Sequence, residues 1–184
     1  MKNKIVNVGY GKVSTVKIGA GLPLAFIGGP CAIESRDHAF FMADRIKKIC
    51  KKVGIKFIYK SCYDKDCRSS SSSFHGVGID EGLKILQEVR SEFNIPVVAD
   101  FSDPSWAKPT GEVCDMIQIP AYLCRQTSIL RAAAETKRPI RFFTPKTKNI
   151  SGATSPVLSK YPILPIKKIY PMAKPNSTKI FDGI

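Results

Sequence analysis

The chain has 184 residues, of which 43% are hydrophobic and 24% charged, a composition typical of a folded protein and not of a disordered one. No run approaches the roughly 20 apolar residues of a membrane-spanning helix, and the N-terminus lacks the apolar core of a signal peptide, so we expect a cytoplasmic protein. Six cysteines without a CxxC pair favour reduced thiols over a disulfide framework.

The first predicted elements are two short strands on either side of Gly9-Tyr10-Gly11, which form a hairpin. A continuous apolar strand over 24–28 then ends at Gly-Gly-Pro. Ser35 can cap the helix that follows, in which apolar residues recur at three- and four-residue spacing as far as Val53. This order of strand and helix begins a βα unit.

The pattern then repeats along the chain. The sequence predicts a strand at 57–59, a long polar loop, a helix over 79–93 and a strand at 96–99. A shorter crossover leads to a strand at 116–119, a helix at 127–135 and a candidate fifth strand that starts at Pro139. Strands and helices that alternate in this way predict a parallel sheet with right-handed crossovers.

The residues directly after the predicted strands are unusually polar. They are Cys31 after the first strand, Lys60, Lys65 and Arg68 after the second, Asp100 after the third, and Pro120 and Arg125 after the fourth. The carboxyl ends of parallel strands meet at one edge of a sheet, so the four cations would converge and repel each other unless an anion neutralises them. For a single lysine a solvated position is the simpler interpretation, but four cations at equivalent positions favour phosphorylated substrates.

Four segments form an ordered set that covers most of residues 1–140. They read GGPCAIES at 28–35, YKSCYDKDCRSS at 59–70, GVGIDEGLKIL at 76–86 and DMIQIPAYLCRQT at 115–127. In order and spacing they resemble the signature blocks of the 3-deoxy-8-phosphooctulonate synthase family, more than those of the sister enzyme that makes the heptulosonate precursor of aromatic amino acids. The resemblance implies an α/β fold of the (β/α)8 TIM-barrel type, here reduced to about the first four or five βα units after an N-terminal β-hairpin.

The same resemblance implies an aldol-type condensation of phosphoenolpyruvate with arabinose 5-phosphate, carried out by a homotetramer. By motif position, the implied catalytic residues are Lys60, Lys65 and Asp100. The implied substrate-binding residues are Lys60, Lys65, Arg68, Ser69, Gln118, Pro120, Ala121 and Arg125. Cys31 matches the cysteine that binds a divalent metal in one branch of the family, although a strand-end thiol without a ligand role is the commoner fate of a lone cysteine.

The chain also departs from the family pattern. Cys67 stands where the family has asparagine, Ser102 where it has a substrate-contacting histidine, and His75 where it has arginine. Beyond Ile140 neither the expected lysine-bearing strand nor the remaining metal ligands can be matched. We therefore predict a partial barrel over 1–140, a divergent or frameshifted tail over 141–184, and little or no activity for the chain by itself.

The tail leaves other interpretations open. Residues 141–184 carry eight Lys or Arg and one acid, Asp182, and so supply half of the net charge of +14. They could contact nucleic acid or an acidic partner as part of a non-catalytic binding protein. We consider nucleic-acid binding the weaker interpretation, because the tail has few aromatic residues placed for base stacking and no recognised motif. A silent subunit that assembles with a full-length synthase also stays open.

Overall fold

The computed structural model describes residues 5–66, 68, 70 and 72–141. Their strands are β1 (Val6–Val8), β2 (Val16–Ile18), β3 (Ala25–Gly28), β4 (Lys56–Lys60), β5 (Val97–Asp100), β6 (Met116–Gln118) and β7 (Ile140–Arg141). Their α-helices are α1 (Arg36–Lys52), α2 (Ile79–Phe93), α3 (Ala107–Val113) and α4 (Thr127–Glu135), with 3-10 turns at Pro104–Trp106 and Ala121–Leu123.

The main sheet is parallel and runs in the order β3-β4-β5-β6-β7, so each strand pairs with its neighbour in sequence. It is curled like one side of a (β/α) barrel, with the antiparallel hairpin β1-β2 before it. The predicted α/β class, the N-terminal hairpin and the partial barrel are therefore confirmed. Of the tail, only Arg141 is among the described residues, and the predictions for 142–184 fall outside them.

The crossover between β5 and β6 contains a helix that the sequence did not predict. Helix α3 includes Pro109 and Gly111, the two residue types least favourable to a helix interior. Pro109 is tolerated because it is the third residue of α3, where a backbone N–H has no partner within the helix. Gly111 is buried, and a Cβ there would lie 2.7 Å from the Cβ of Thr136, so the close packing of α3 on the end of α4 requires glycine.

Two apolar layers follow from the alternation of side chains along the strands. One face of the sheet packs on the helices and forms the larger core, which includes Phe57, Tyr59 and Ile117. On the other face, Ile58, Val98 and Met116 pack against the hairpin side chains Val6, Val8 and Val16. The hairpin therefore forms an apolar floor beneath the concave side of the sheet.

A buried polar network fixes the amino-terminal ends of the strands. The carboxylate of Asp115 accepts hydrogen bonds from Nε and a terminal nitrogen of Arg90, both at 3.0 Å. It also accepts from the backbone N–H groups of Val97 at 2.9 Å and Tyr10 at 3.0 Å. Arg138 lies over the Tyr10 ring, 3.4 Å from its centroid. This Asp115 network joins the hairpin, α2, β5 and β6.

The cysteines and the helices of the described residues bear on two expectations, reduced thiols and the lack of a membrane-spanning helix. The five cysteines among these residues, Cys31, Cys50, Cys62, Cys114 and Cys124, are all free, in agreement with the expectation of reduced thiols. None of the described helices combines the length and the apolar composition needed to cross a bilayer.

Candidate functional site

The carboxyl ends of β4 and β5 bring three of the predicted residues together. Lys60 is the last residue of β4, Asp100 is the last of β5, and Lys65 reaches the same point from the loop after β4. Each lysine Nζ lies 3.3 Å from an oxygen of Asp100, Lys60 at Oδ1 and Lys65 at Oδ2. The predicted catalytic residues therefore form one ion cluster. Lys60 and Asp100 each follow, by two residues along the strand, a side chain that packs on the hairpin.

The thiol of Cys62, which sequence reasoning missed, lies at the centre of this cluster. Its Sγ accepts hydrogen bonds from Nζ of Lys65 at 2.7 Å and of Lys60 at 3.3 Å, and it is in direct contact with Asp100. The signal was available, because Cys62 follows Lys60 by two residues inside a segment already matched to the family. From the sequence, a reduced thiol was expected at Cys62 and no role in the site was assigned to it.

The loop after β4 is held in place through the end of β3. Ala32 pairs with Cys62 in a parallel bridge, and the backbone N–H of Ile33 donates to the Cys62 carbonyl at 2.8 Å. The Ser61 hydroxyl donates to the Pro30 carbonyl at 2.9 Å. A Cβ at Gly29 would lie 2.2 Å from the Lys60 carbonyl oxygen, so the turn at the end of β3 requires glycine. Backbone pairing thus continues past both strands and positions the lysines.

The cluster is mostly shielded from solvent and has an excess of positive charge. The side chains of Lys60, Lys65 and Asp100 are 19%, 8% and 12% exposed. Burial alone would raise the pKa of Asp100, but the charges of both lysines and hydrogen bonds from Cys62 and Lys65 outweigh it and lower the pKa below its usual value. Burial would lower the pKa of Lys65, but the charge of Asp100 and the hydrogen bond to Cys62 raise it above its usual value. Lys65 is therefore a charged ammonium at neutral pH.

The same edge of the sheet continues through β6 and β7. Gln118, a predicted substrate-binding residue at the end of β6, is opposite Asp100 on one side and Arg141 on the other. The guanidinium of Arg141 donates to the side-chain oxygen of Gln118. Sequence reasoning treated Arg141 as the start of the divergent tail, whereas the structure places a third cation at this edge.

The remaining predicted residues are only partly gathered. Pro120 lines a cleft with Lys65, Asp100 and Ser102, and Ala121 begins the exposed turn that follows it. Arg68 and Arg125 are exposed, and the expectation that they converge with Lys60 and Lys65 stays a prediction. Ser69, like Cys67, lies outside the described residues. The roles assigned to all of these positions stay predictions.

The predicted metal ligand does not fit a metal site in the described ranges. Cys31 is exposed and follows β3 by three residues. Among residues 5–66, 68, 70 and 72–141, one set of three metal-ligating side chains has all of its ligand atoms within 4.8 Å of one another, namely Asp64, Asp66 and His75. Cys31 is not part of it. No chemical step is therefore assigned to a metal at Cys31.

The sequence of this chain is similar to that of one family of known proteins. The family model described as the DAHP synthetase I family matches residues 4–151. Proteins named 2-dehydro-3-deoxyphosphooctonate aldolase from Rickettsia rickettsii (strain Sheila Smith) and Rickettsia prowazekii (strain Madrid E) are 49% and 46% identical to the chain over 130 residues. The match covers 71% of this chain and 47% of each relative, so the chain spans about half the length of these curated relatives.

These similarities agree with the resemblance found in the sequence. The relatives' name is a synonym of 3-deoxy-8-phosphooctulonate synthase, the enzyme whose signature blocks the four segments resemble. The family match continues 11 residues beyond Ile140, to residue 151. The boundary between the two predicted segments, 1–140 and 141–184, stays a prediction.

Proposed function

Because the chain belongs to the DAHP synthetase I family, we propose that it binds phosphoenolpyruvate as part of a synthase that condenses this compound with arabinose 5-phosphate. The products would be 3-deoxy-D-manno-octulosonate 8-phosphate and inorganic phosphate. The proposal is supported by the name of the curated relatives and by the excess of cations at the carboxyl ends of the strands.

In this reaction, C3 of phosphoenolpyruvate forms a bond with the aldehyde carbon of the sugar phosphate. Water then adds at C2, and the phosphate leaves. The residues of this chain would hold and orient the anionic substrate and offset its charge, because such positioning and charge stabilisation supply much of the rate of a condensation. No covalent intermediate with the protein is part of the proposal.

One observation carries the proposal: Lys60 and Lys65 are largely buried, yet they share a single carboxylate, that of Asp100. A buried charge without a partner is costly, so a site with two ammonium groups and one carboxylate favours a bound anion. Asp100 would keep both lysines charged and oriented while the phosphate or carboxylate of phosphoenolpyruvate occupies their free donor positions. The cluster lies at the carboxyl ends of β4 and β5, where barrel enzymes carry their chemistry.

The other substrate contacts are proposed from motif position. Gln118, Pro120, Ala121 and Arg125 would surround the phosphoenolpyruvate site. Arg68 and Ser69 would bind the phosphate of arabinose 5-phosphate across a subunit boundary of a homotetramer, where a guanidinium fork suits phosphate geometry. We place the reaction in the cytoplasm.

The proposal can be tested by calorimetric titration of the 184-residue chain with phosphoenolpyruvate. Replacement Lys65→Met removes one charged hydrogen-bond donor, which is worth about 1.5–3 kcal/mol, so binding should weaken by roughly ten- to a hundredfold. The matched control is Lys84→Met, because Lys84 is an exposed lysine on α2 and its replacement should leave binding unchanged. Circular dichroism would show that each variant keeps its fold.

Two results would count against the proposal. The first is no detectable phosphoenolpyruvate binding by the unmodified chain, and the second is equal weakening in the Lys65 and Lys84 variants. A separate assay adds both substrates and follows phosphate release. The chain by itself is predicted to have little or no activity, so release at a normal enzymatic rate would contradict that prediction without affecting the binding proposal.

A further inference from the structure

We propose that Asp64, Asp66 and His75 form a binding site for a divalent transition-metal ion in the loop after β4. A single ion about 2.0–2.2 Å from each ligand can have ligand atoms up to roughly 4.4 Å apart on opposite sides of it. The three side chains already place one ligand atom each within 4.8 Å of the others, so a small side-chain movement would complete the coordination.

The spacing between His75 and Asp64 fits shared ligands better than a direct hydrogen bond. Nδ1 of His75 lies 3.8 Å from Oδ1 of Asp64, well beyond the 2.7–3.2 Å of an N–H···O hydrogen bond. Two ligand atoms that lie side by side around one ion are closer together than 3.8 Å, and two on opposite sides of it are farther apart, so this distance falls between the two cases. Both side chains are partly withdrawn from solvent, at 39% and 25% exposed. An ion between them would be ligated by two groups that lie too far apart for a direct hydrogen bond.

The surrounding chain holds the three ligands in place from two directions. The hydroxyl of Ser102, which follows β5, donates to the Asp66 carboxylate and orients it, as outer partners of metal ligands do. On the His75 side, the backbone N–H of Gly78 donates to the Tyr63 carbonyl at 3.0 Å. A Cβ at Gly76 would lie 2.2 Å from that carbonyl oxygen, so the backbone beside His75 is packed tightly on the backbone beside Asp64.

The ligand set also indicates the class of metal. An imidazole with two carboxylates suits Zn²⁺, Mn²⁺, Fe²⁺ or Co²⁺ better than Mg²⁺ or Ca²⁺, which prefer oxygen ligands alone. Two carboxylates offset the charge of a divalent ion, and three protein ligands leave positions open for water or an anion. Asp64 and Asp66 line the same cleft as Lys65 and Asp100, so an ion here would face the lysine cluster. The site does not depend on Cys31.

Cobalt can distinguish this site from one at Cys31, because a cysteine ligand gives Co²⁺ a thiolate charge-transfer band in the near ultraviolet. We expect the full chain to bind Co²⁺ with visible absorption bands of an oxygen and nitrogen site, without the thiolate band. His75→Asn and Asp66→Asn should each weaken binding at least tenfold, since loss of even an outer partner of a metal ligand costs about 10–100-fold. Cys31→Ser should leave affinity and spectrum unchanged.

The matched control is His38→Asn, which removes an imidazole from α1, away from the loop after β4. Circular dichroism of each variant separates loss of the site from loss of the fold. The proposal is overturned if the unmodified chain does not bind Co²⁺, or if His75→Asn and His38→Asn have the same effect. It is also overturned if a thiolate band appears and disappears in Cys31→Ser. Because no substrate is present, these outcomes are independent of phosphoenolpyruvate binding.

Discussion

Replacement of Asp115 by alanine should be the most destabilising single change outside the apolar core. The Asp115 side chain is 0% exposed and that of Arg90 is 10% exposed, and the two are joined by two hydrogen bonds of 3.0 Å. Removing the carboxylate leaves a buried guanidinium without its counterion. Breaking a buried ion pair in this way costs about 3–5 kcal/mol.

Two further groups lose their acceptor in the same variant. The backbone N–H groups of Val97 and Tyr10 both donate to Asp115, and an unsatisfied buried donor costs about 1–3 kcal/mol. These contributions belong to one network and do not add independently, so we expect a total loss of about 3–5 kcal/mol in the free energy of unfolding. A loss of that size is comparable with the whole stability of many domains.

Urea denaturation followed by circular dichroism would measure the loss. The matched control is Asp44→Ala, because Asp44 pairs with Lys48 one helical turn away at the surface, at 2.7 Å, and such pairs contribute at most about 0.5 kcal/mol. A loss below about 1 kcal/mol for Asp115→Ala, or one equal to that of the control, would refute the reasoning. A double variant that also replaces Arg90 by methionine should recover part of the loss, since neither buried charge of this ion pair then remains.

Three other predictions rest on single positions. Gly82→Ala should destabilise the fold by about 1–3 kcal/mol, because the new Cβ would lie 2.1 Å from the Cβ of Tyr63. Urea denaturation would measure this loss, and a gain in stability, which the better helix propensity of alanine alone would give, would contradict the prediction. Cys31 should react with a thiol reagent in the native protein, whereas Cys114, whose burial raises its pKa, should react only after unfolding, as peptide mass spectrometry can test. The pKa of Asp100 is lowered in the folded protein, so its carboxylate stabilises the fold at pH values above the pKa of an unfolded aspartate. The loss of stability in Asp100→Asn should therefore be largest near pH 7 and shrink below about pH 4. A loss of stability that does not change with pH would argue against this prediction.

The sequence predicted the order of the elements well, because the signals were local. The apolar spacing of α1 and the cap at Ser35, whose side chain accepts from the His38 N–H at 3.1 Å, are visible within about 20 residues. Helix α3 was missed because Pro109 and Gly111 suppress the helical signal, and tertiary packing against Thr136 compensates for it. No property of the local sequence records that compensation.

The candidate site was predictable only in part, for a related reason. Position after a strand correctly brought Lys60, Lys65 and Asp100 together, because strand ends converge in a parallel sheet. It could not show that Cys62 would turn towards the same point, since that depends on the bridge to Ala32. The orientation of exposed loop residues such as Arg125 depends still less on the strands, so their position in the sequence does not fix whether they join the site.

The hydrogen bond from Tyr10 to Asp115 joins residues 105 positions apart, and this separation affects the order of folding. At about 5–20 residues per second, a ribosome needs roughly 5–20 s to reach Asp115 after it has made Tyr10. During that interval the hairpin β1-β2, which is synthesised before the main sheet, has no β6 on which to pack. We therefore expect this N-terminal hairpin to be among the last parts of the fold to become protected from hydrogen exchange.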